Sequence, residues 1–200
     1  FEEIEREYDP QLSFRKVGSK LNIVIMTLLV SMSLYHFWAS GFGLVREVLH
    51  RGIHISYVIS LVFLLFSWKK DTNTLIKNKK IFLNFQNIPL LDYIFAILAL
   101  ASALYLPLLP PEILAQRVGN PENIDVLMGS IIILLTLEAA RRSVGSTLPI
   151  IAIIFILFAI FGPYAPGALK HGGTSWLGFV NHIYITNQGV YGIAVGVMAQ

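Results

Sequence analysis

The chain has 200 residues, 55% hydrophobic and 14% charged, with mean hydropathy +0.66 and a formal charge of +3. A soluble domain carries about a quarter charged residues, so the composition excludes an ordinary water-soluble core and fits a chain solvated by lipid. The basic residues lie between apolar runs rather than in one patch, which argues against a nucleic-acid partner, and the lack of cysteine excludes disulfides, thiolate metal sites and a Cys nucleophile.

Residues 1–20 are polar, with an acidic start, a Tyr8-Asp9-Pro10 turn and then Arg15, Lys16 and Lys20. A first span is expected over about 21–39, roughly enough to cross a core about 30 Å thick. It ends in Tyr35, His36, Phe37 and Trp38, aromatic residues suited to a lipid–water boundary. A second, short span follows over about 52–68. Residues 69–87 carry five lysines, and Leu75, Ile76, Phe82 and Leu83 share one helical face, which predicts a short interfacial helix. A third span covers about 88–109 and is stopped by Pro110-Pro111. A fourth covers about 124–140 and closes on Arg141-Arg142, and a fifth covers about 146–164, bounded by Gly145 and the Pro163…Pro166-Gly167 turn. Trp176, Leu177, Val180, Ile183 and Tyr184 again share one helical face. A sixth apolar segment starts at Val190 and is truncated at Gln200. The fold class is therefore all-α: a polytopic transmembrane bundle of about five full spans, a truncated sixth and short interfacial amphipathic helices. No signal peptide is read at Phe1-Glu2-Glu3, and both ends read as cuts from a longer protein.

Charge orients this bundle. With a cytoplasmic N-terminus, residues 1–20, 69–87 and 141–146 lie inside and hold 11 of the 15 Lys/Arg; Arg46, Arg51, Arg117 and Lys170 lie outside. That is the sign the positive-inside rule requires.

The most conspicuous polar group near a span is Glu138 with Arg141 and Arg142, whose i,i+3 and i,i+4 spacing places the carboxylate beside both guanidinium groups. The plain reading is a pair snorkelling at the inner end; the sharper one is a hinge or a contact to a partner helix. Asp92 and Asp125 each stand at the N-terminal edge of a span, where a cap or helix-dipole role suffices. His50 and His54, at i,i+4, would present two imidazoles to haem or a metal, against which stands a plain interfacial polar role. His171-Gly172-Gly173 is a glycine-rich break whose backbone N–H groups could bind an anion, or simply a connecting turn. No nucleophile elbow, P-loop, HExxH or dinucleotide motif is present, so no catalytic residue is assigned and no enzyme is expected.

One string carries a family resemblance. Leu137-Glu138-Ala139-Ala140-Arg141-Arg142-Ser143-Val144-Gly145 resembles the LEAxRRxxG signature of fused TRAP (tripartite ATP-independent periplasmic) transporter permeases. The neighbours agree in order: Tyr8-Asp9…Phe14-Arg15, Arg51-Gly52-Ile53-His54, and Pro166-Gly167…His171-Gly172-Gly173. Gln188-Gly189-Val190-Tyr191-Gly192 resembles the GxxG opening of the large M-type portion, although Ala199-Gln200 departs from the small Ser/Ala-rich continuation.

The resemblance implies a scaffold, the small Q-type portion plus the start of the M-type one, in a multi-pass permease of a bacterial or archaeal inner membrane. Such a permease imports an organic acid delivered by a periplasmic substrate-binding protein and draws on a Na⁺ gradient. The substrate and Na⁺ sites would lie beyond Gln200, in the rest of the M-type portion, and no cofactor or metal is assigned to these residues. Outer loops 40–53, 107–123 and 164–187 would receive the binding protein. The competing classes are a membrane anchor or assembly subunit without transport, and a haem or metal protein using His50 and His54.

Overall fold

The computed structural model describes residues 14, 15, 17–43, 45–68, 84, 85, 87–186 and 188–199. Tyr8-Asp9 and most of the expected 69–87 interfacial helix (69–83) lie outside the described residues. The helices are α1 Ser19–Phe42, α2 Glu47–Leu65, α3 Leu90–Leu108, α4 Pro111–Arg117, α5 Asn123–Ser143, α6 Thr147–Ile160, α7 Trp176–Val180 and α8 Ile193–Ala199. Two-residue strands β1 Asn84–Phe85 and β2 Ile88–Pro89 pair antiparallel before α3. The end of the stretch expected as an interfacial helix is thus a hairpin, turned by Asn87 at a φ of 69°.

Helices α1, α2, α3 and α5 are long and apolar enough to cross a membrane. Two boundaries extend past the apolar runs because charge is paired there. Helix α2 starts at Glu47, which pairs one turn on with Arg51, and α5 continues through Arg141 and Arg142. The fifth span is shorter than expected. Helix α6 has 14 residues, about 21 Å of rise, and a Gly162–Tyr164 3₁₀ turn containing Pro163 replaces its last turn. Only Pro149 of α6 is buried and Ile156 packs against the core, while most of its other isoleucine, leucine and phenylalanine side chains are exposed, as suits a helix whose solvent is hydrocarbon.

The core is built on α2 and α3, with α5 against α3 and α6 against α5. Small residues of α3 let α2 approach: Gly52 lies against Ala103 and Pro107, and Ser60 Oγ donates to Ala96 O at 2.9 Å. Phe63, Ala99, Ala103, Leu106 and Ile132 are fully buried between these helices. Helix α1 is held more lightly, burying only Leu21 and Ile25. Hydroxyls along the spans (Thr27, Ser33, Ser102, Ser130, Thr136 and Ser143) return their protons to carbonyls one turn back, as helices in lipid must satisfy polar groups internally.

Residues 176–199 form a wedge. Helix α7 continues into a π-helical turn, Asn181–Ile185, so the expected 176–185 helix is present. Its buried face is Val180, Tyr184 and Ile185, while Trp176 and Leu177 are exposed. The wedge seats against α5 at Gly129, where a Cβ would collide with Val180 and Tyr184. Tyr184 and Tyr191 are fully buried, and burial pushes the Tyr184 phenol well above its ordinary ionisation range. Tyr184 donates to Ser102 O at 2.6 Å and Tyr191 to Ala103 O at 2.9 Å. Rather than lying on an interface, this segment therefore closes onto the backbone of α3.

Candidate functional site

Residues singled out by sequence meet at one end of the bundle. Backbone pairing starts the assembly: Arg15 N–H donates to Leu65 O at 2.8 Å, and the Phe14 and Phe66 rings meet edge to face at 5.1 Å. This pins the approach to α1 beside the end of α2. From there Arg15 Nη2 reaches Asp92 Oδ2 at 2.6 Å and Phe66 O at 3.2 Å. Asp92 sits in the first turn of α3 and Arg142 in the last turn of α5, so each charge also opposes the partial charge of its own helix end.

Arg142 closes the network. Its Nη1 donates to Asp92 Oδ1 at 2.8 Å and its Nε to Glu138 Oε1 at 2.7 Å, with the side chain wholly buried. The guanidinium carbon lies 4.9 Å from the Phe63 ring centre and 5.3 Å from that of Trp68, which stabilises a desolvated cation. Arg141 takes the outer flank: Nε and Nη2 grip both oxygens of Glu138 at 2.7 and 2.8 Å, and Nη2 also donates to Trp68 O at 3.3 Å. Sequence spacing had paired Glu138 with both arginines, and they are so paired. Asp92, read as a dipole or cap residue, is also the carboxylate that joins Arg15 to Arg142. Gly145 ends α5 at a φ of 110°, donating to Ala140 O at 3.2 Å, a terminator where a side chain would be strained.

The opposite end carries a second clasp. Glu122 is the N-cap of α5, and Asp125, at the third helical position, completes a reciprocal capping box by accepting from Glu122 N–H at 2.8 Å, in keeping with the cap role its position suggested. It also accepts from Tyr105 Oη at 2.8 Å and from Arg117 Nη1 at 3.2 Å. Arg117 is held above its usual value, chiefly by its hydrogen bond to Glu122. Arg46 donates to Pro107 O and Leu109 O, capping α3, and Arg51 pairs with Glu47 and donates to Tyr191 O at 2.6 Å. Of the four outer cations expected to face a partner, these three are engaged within the chain; Lys170 is exposed.

His171-Gly172-Gly173 is organised as a connecting turn that caps α6. His171 Nε2–H donates to Phe158 O at 3.1 Å, and Nδ1 accepts from Gly173 N–H at 3.1 Å. Thr174 N–H donates to Ala159 O at 2.9 Å. The ring fits only because Gly162 lacks a Cβ, and Gly173 holds a φ of 69° with Pro163 and Ile160 O where a Cβ would go. The N–H of Gly173 is therefore spent on His171, which removes one of the donors an anion would use.

His50 and His54 do not face a common ligand. His50 Nε2–H donates to Ala199 O at 2.6 Å and its Nδ1 accepts from Tyr35 Oη at 3.0 Å, so both ring nitrogens are engaged. His54 Nδ1 meets His36 Nε2 at 2.9 Å. Among the described residues no group of three or more His, Cys, Asp and Glu side chains is placed to hold a metal.

No family model matches the chain, and no curated protein or solved structure matches it. The functional reading rests on the residues themselves. Sequence reasoning missed Arg15, Tyr35, His36 and the two buried tyrosines as structural partners, because each acts through a residue far away in the chain.

Proposed function

We propose that this chain is the scaffold part of a TRAP-type permease, which takes up an organic acid from a periplasmic binding protein at the expense of a Na⁺ gradient. One observation carries the reading. Stretches that resemble the family, though far apart in sequence, engage one another in space. Arg15 and Arg142 share the carboxylate of Asp92, and Arg51 of the Arg-Gly-Ile-His stretch holds the carbonyl of Tyr191 in the Gly-Val-Tyr-Gly stretch. Such ties make a stiff frame, which is what alternating access requires of the portion that stays still. In this reading the Arg142 end is cytoplasmic, in keeping with the lysine-rich 69–87 segment, and the bundle sits in a bacterial or archaeal inner membrane. Substrate and Na⁺ would be held in the M-type portion, outside these residues.

The test is reconstitution of the complete protein containing this chain into liposomes, with its candidate binding protein outside. The expected result is organic-acid uptake that needs both the binding protein and an inward Na⁺ gradient and is indifferent to ATP. Uptake that ignores the binding protein or the gradient would overturn the reading, and a well-inserted protein with no uptake of any organic acid would favour an anchoring role.

A further inference from the structure

Helix α1 buries little, and among the described residues three polar side-chain contacts join it to α2. Ser31 Oγ meets Tyr57 Oη at 3.3 Å, Tyr35 Oη meets His50 Nδ1 at 3.0 Å, and His36 Nε2 meets His54 Nδ1 at 2.9 Å. The last of these has a fixed proton inventory. His36 Nδ1 lies 2.8 Å from Met32 O, which can only accept, so Nδ1 carries a hydrogen. In a neutral ring Nε2 is then a lone pair, and His54 must supply the hydrogen of the contact from its Nδ1. The remaining lone pair of the dyad is Nε2 of His54.

We propose that His36 and His54 form a site for one proton inside the membrane-spanning part of the bundle, and that a second proton releases α1 from α2. The first proton adds to Nε2 of His54. The Nδ1–H of His54 still points at Nε2 of His36, so the contact survives and becomes charge-assisted, with the proton shared between the rings. The second proton has only Nε2 of His36 to take. That would set two N–H donors against each other at 2.9 Å and place two cations in rings whose centres are 5.1 Å apart. The Nδ1–H of His36 ends on a backbone carbonyl, so the dyad stores a proton rather than passing it along.

The groups around it are consistent with this. On α1 and α2 they are Tyr35, His50 and Tyr57, with Glu47 already paired to Arg51. The rings of His36 and His50 stand 5.3 Å apart, so a charge on His50 also opposes the second proton. Helix α8, which packs on α2, carries no titratable side chain over Ile193–Ala199. On α3, Asp92 is taken by the arginine network and Tyr105 by Asp125; Tyr93 stands at the far end of that helix, in the same first turn as Asp92. This inference does not depend on the transport reading.

The experiment is nitrogen NMR of the full chain in lipid nanodiscs with ¹⁵N-labelled histidine, titrated from pH 8 to pH 5 and below, the resonances being assigned with His36→Gln and His54→Gln. Because the chain has no cysteine, Phe37→Cys with Val58→Cys gives a spin-label distance between α1 and α2. The expected result is one proton taken up by the pair, the second arriving at least about one pH unit lower, and a separation that widens only with the second. In His36→Gln, His54 should take up its proton in a single step with no second uptake coupled to it. Equal midpoints for the two rings, no uptake in the range, an unchanged His54 titration in His36→Gln, or widening with the first proton would each overturn the proposal.

Discussion

The hydroxyl of Tyr191 occupies the carbonyl of Ala103, the oxygen that Pro107 leaves without its helical donor. Proline has no N–H, so the bond that residue 107 would return to residue 103 cannot form, and Tyr191 supplies it from the wedge at 2.9 Å. A helix defect in α3 and a buried polar group after α6 thus cancel each other.

This coupling predicts a rescue. Tyr191→Phe should lower stability by about 1–3 kcal/mol, the cost of an unmade buried hydrogen bond. Much less should be lost when Pro107→Ala is present as well, because an N–H at 107 can then serve Ala103. Unfolding in detergent of the two single variants and the double variant measures the interaction directly; additive losses would contradict it.

At the other end, removing one member of the buried network should cost far more than trimming its flank. Asp92→Asn takes the charged partner from Arg15 and leaves Arg142 with Glu138 alone, and Arg142→Gln leaves Asp92 half-paired and removes one guanidinium from Glu138; each should lose about 3–5 kcal/mol. Arg141, one third exposed in its side chain, should contribute about 0–1 kcal/mol when changed to Gln. Denaturant titration of the three variants checks the ranking.

The cap on α6 should be sensitive to single atoms. Gly173→Ala forces a left-handed backbone on a residue with a Cβ and drives that Cβ into Pro163, so the loss should exceed about 1–2 kcal/mol. His171→Ala removes the acceptor of Gly173 and the donor to Phe158 O. Hydrogen exchange at Gly173 and in the last turn of α6 should rise sharply in both variants while that of α2 and α3 stays unchanged.

The outer cations should separate into two kinds. Arg51→Glu places a carboxylate beside Glu47 and abandons Tyr191 O, so it should destabilise the chain itself. Lys170→Glu should leave unfolding unchanged and weaken binding-protein-dependent uptake in the reconstituted permease. Parallel melting and uptake measurements distinguish them, and equal effects on both readouts would remove Lys170 from the proposed docking surface.

Much of this architecture was legible because hydrocarbon imposes a simple code: long apolar runs became α1, α2, α3 and α5. Their ends were less so, since Glu47 and Arg142 look like stops until their partners are known. The i,i+3 and i,i+4 ties of Glu138 could be read from spacing. Asp92 could not be read in the same way, because its two guanidinium partners are 77 and 50 residues away. The depth of Tyr184 and Tyr191 was hidden for a related reason: an apolar face announces burial but not the carbonyl that will receive a hydroxyl. Local periodicity gave α7 and left its destination open.

The shared carboxylate also has a consequence for how the protein is made. Asp92 leaves the ribosome with Arg15 already synthesised and Arg142 still 50 residues from emerging. The three-way tie therefore cannot form until the last turn of α5 has been synthesised. Synthesis must run for a while with one counter-ion for Asp92 where the finished chain has two, and the last guanidinium to arrive joins the start of α3 to the end of α5.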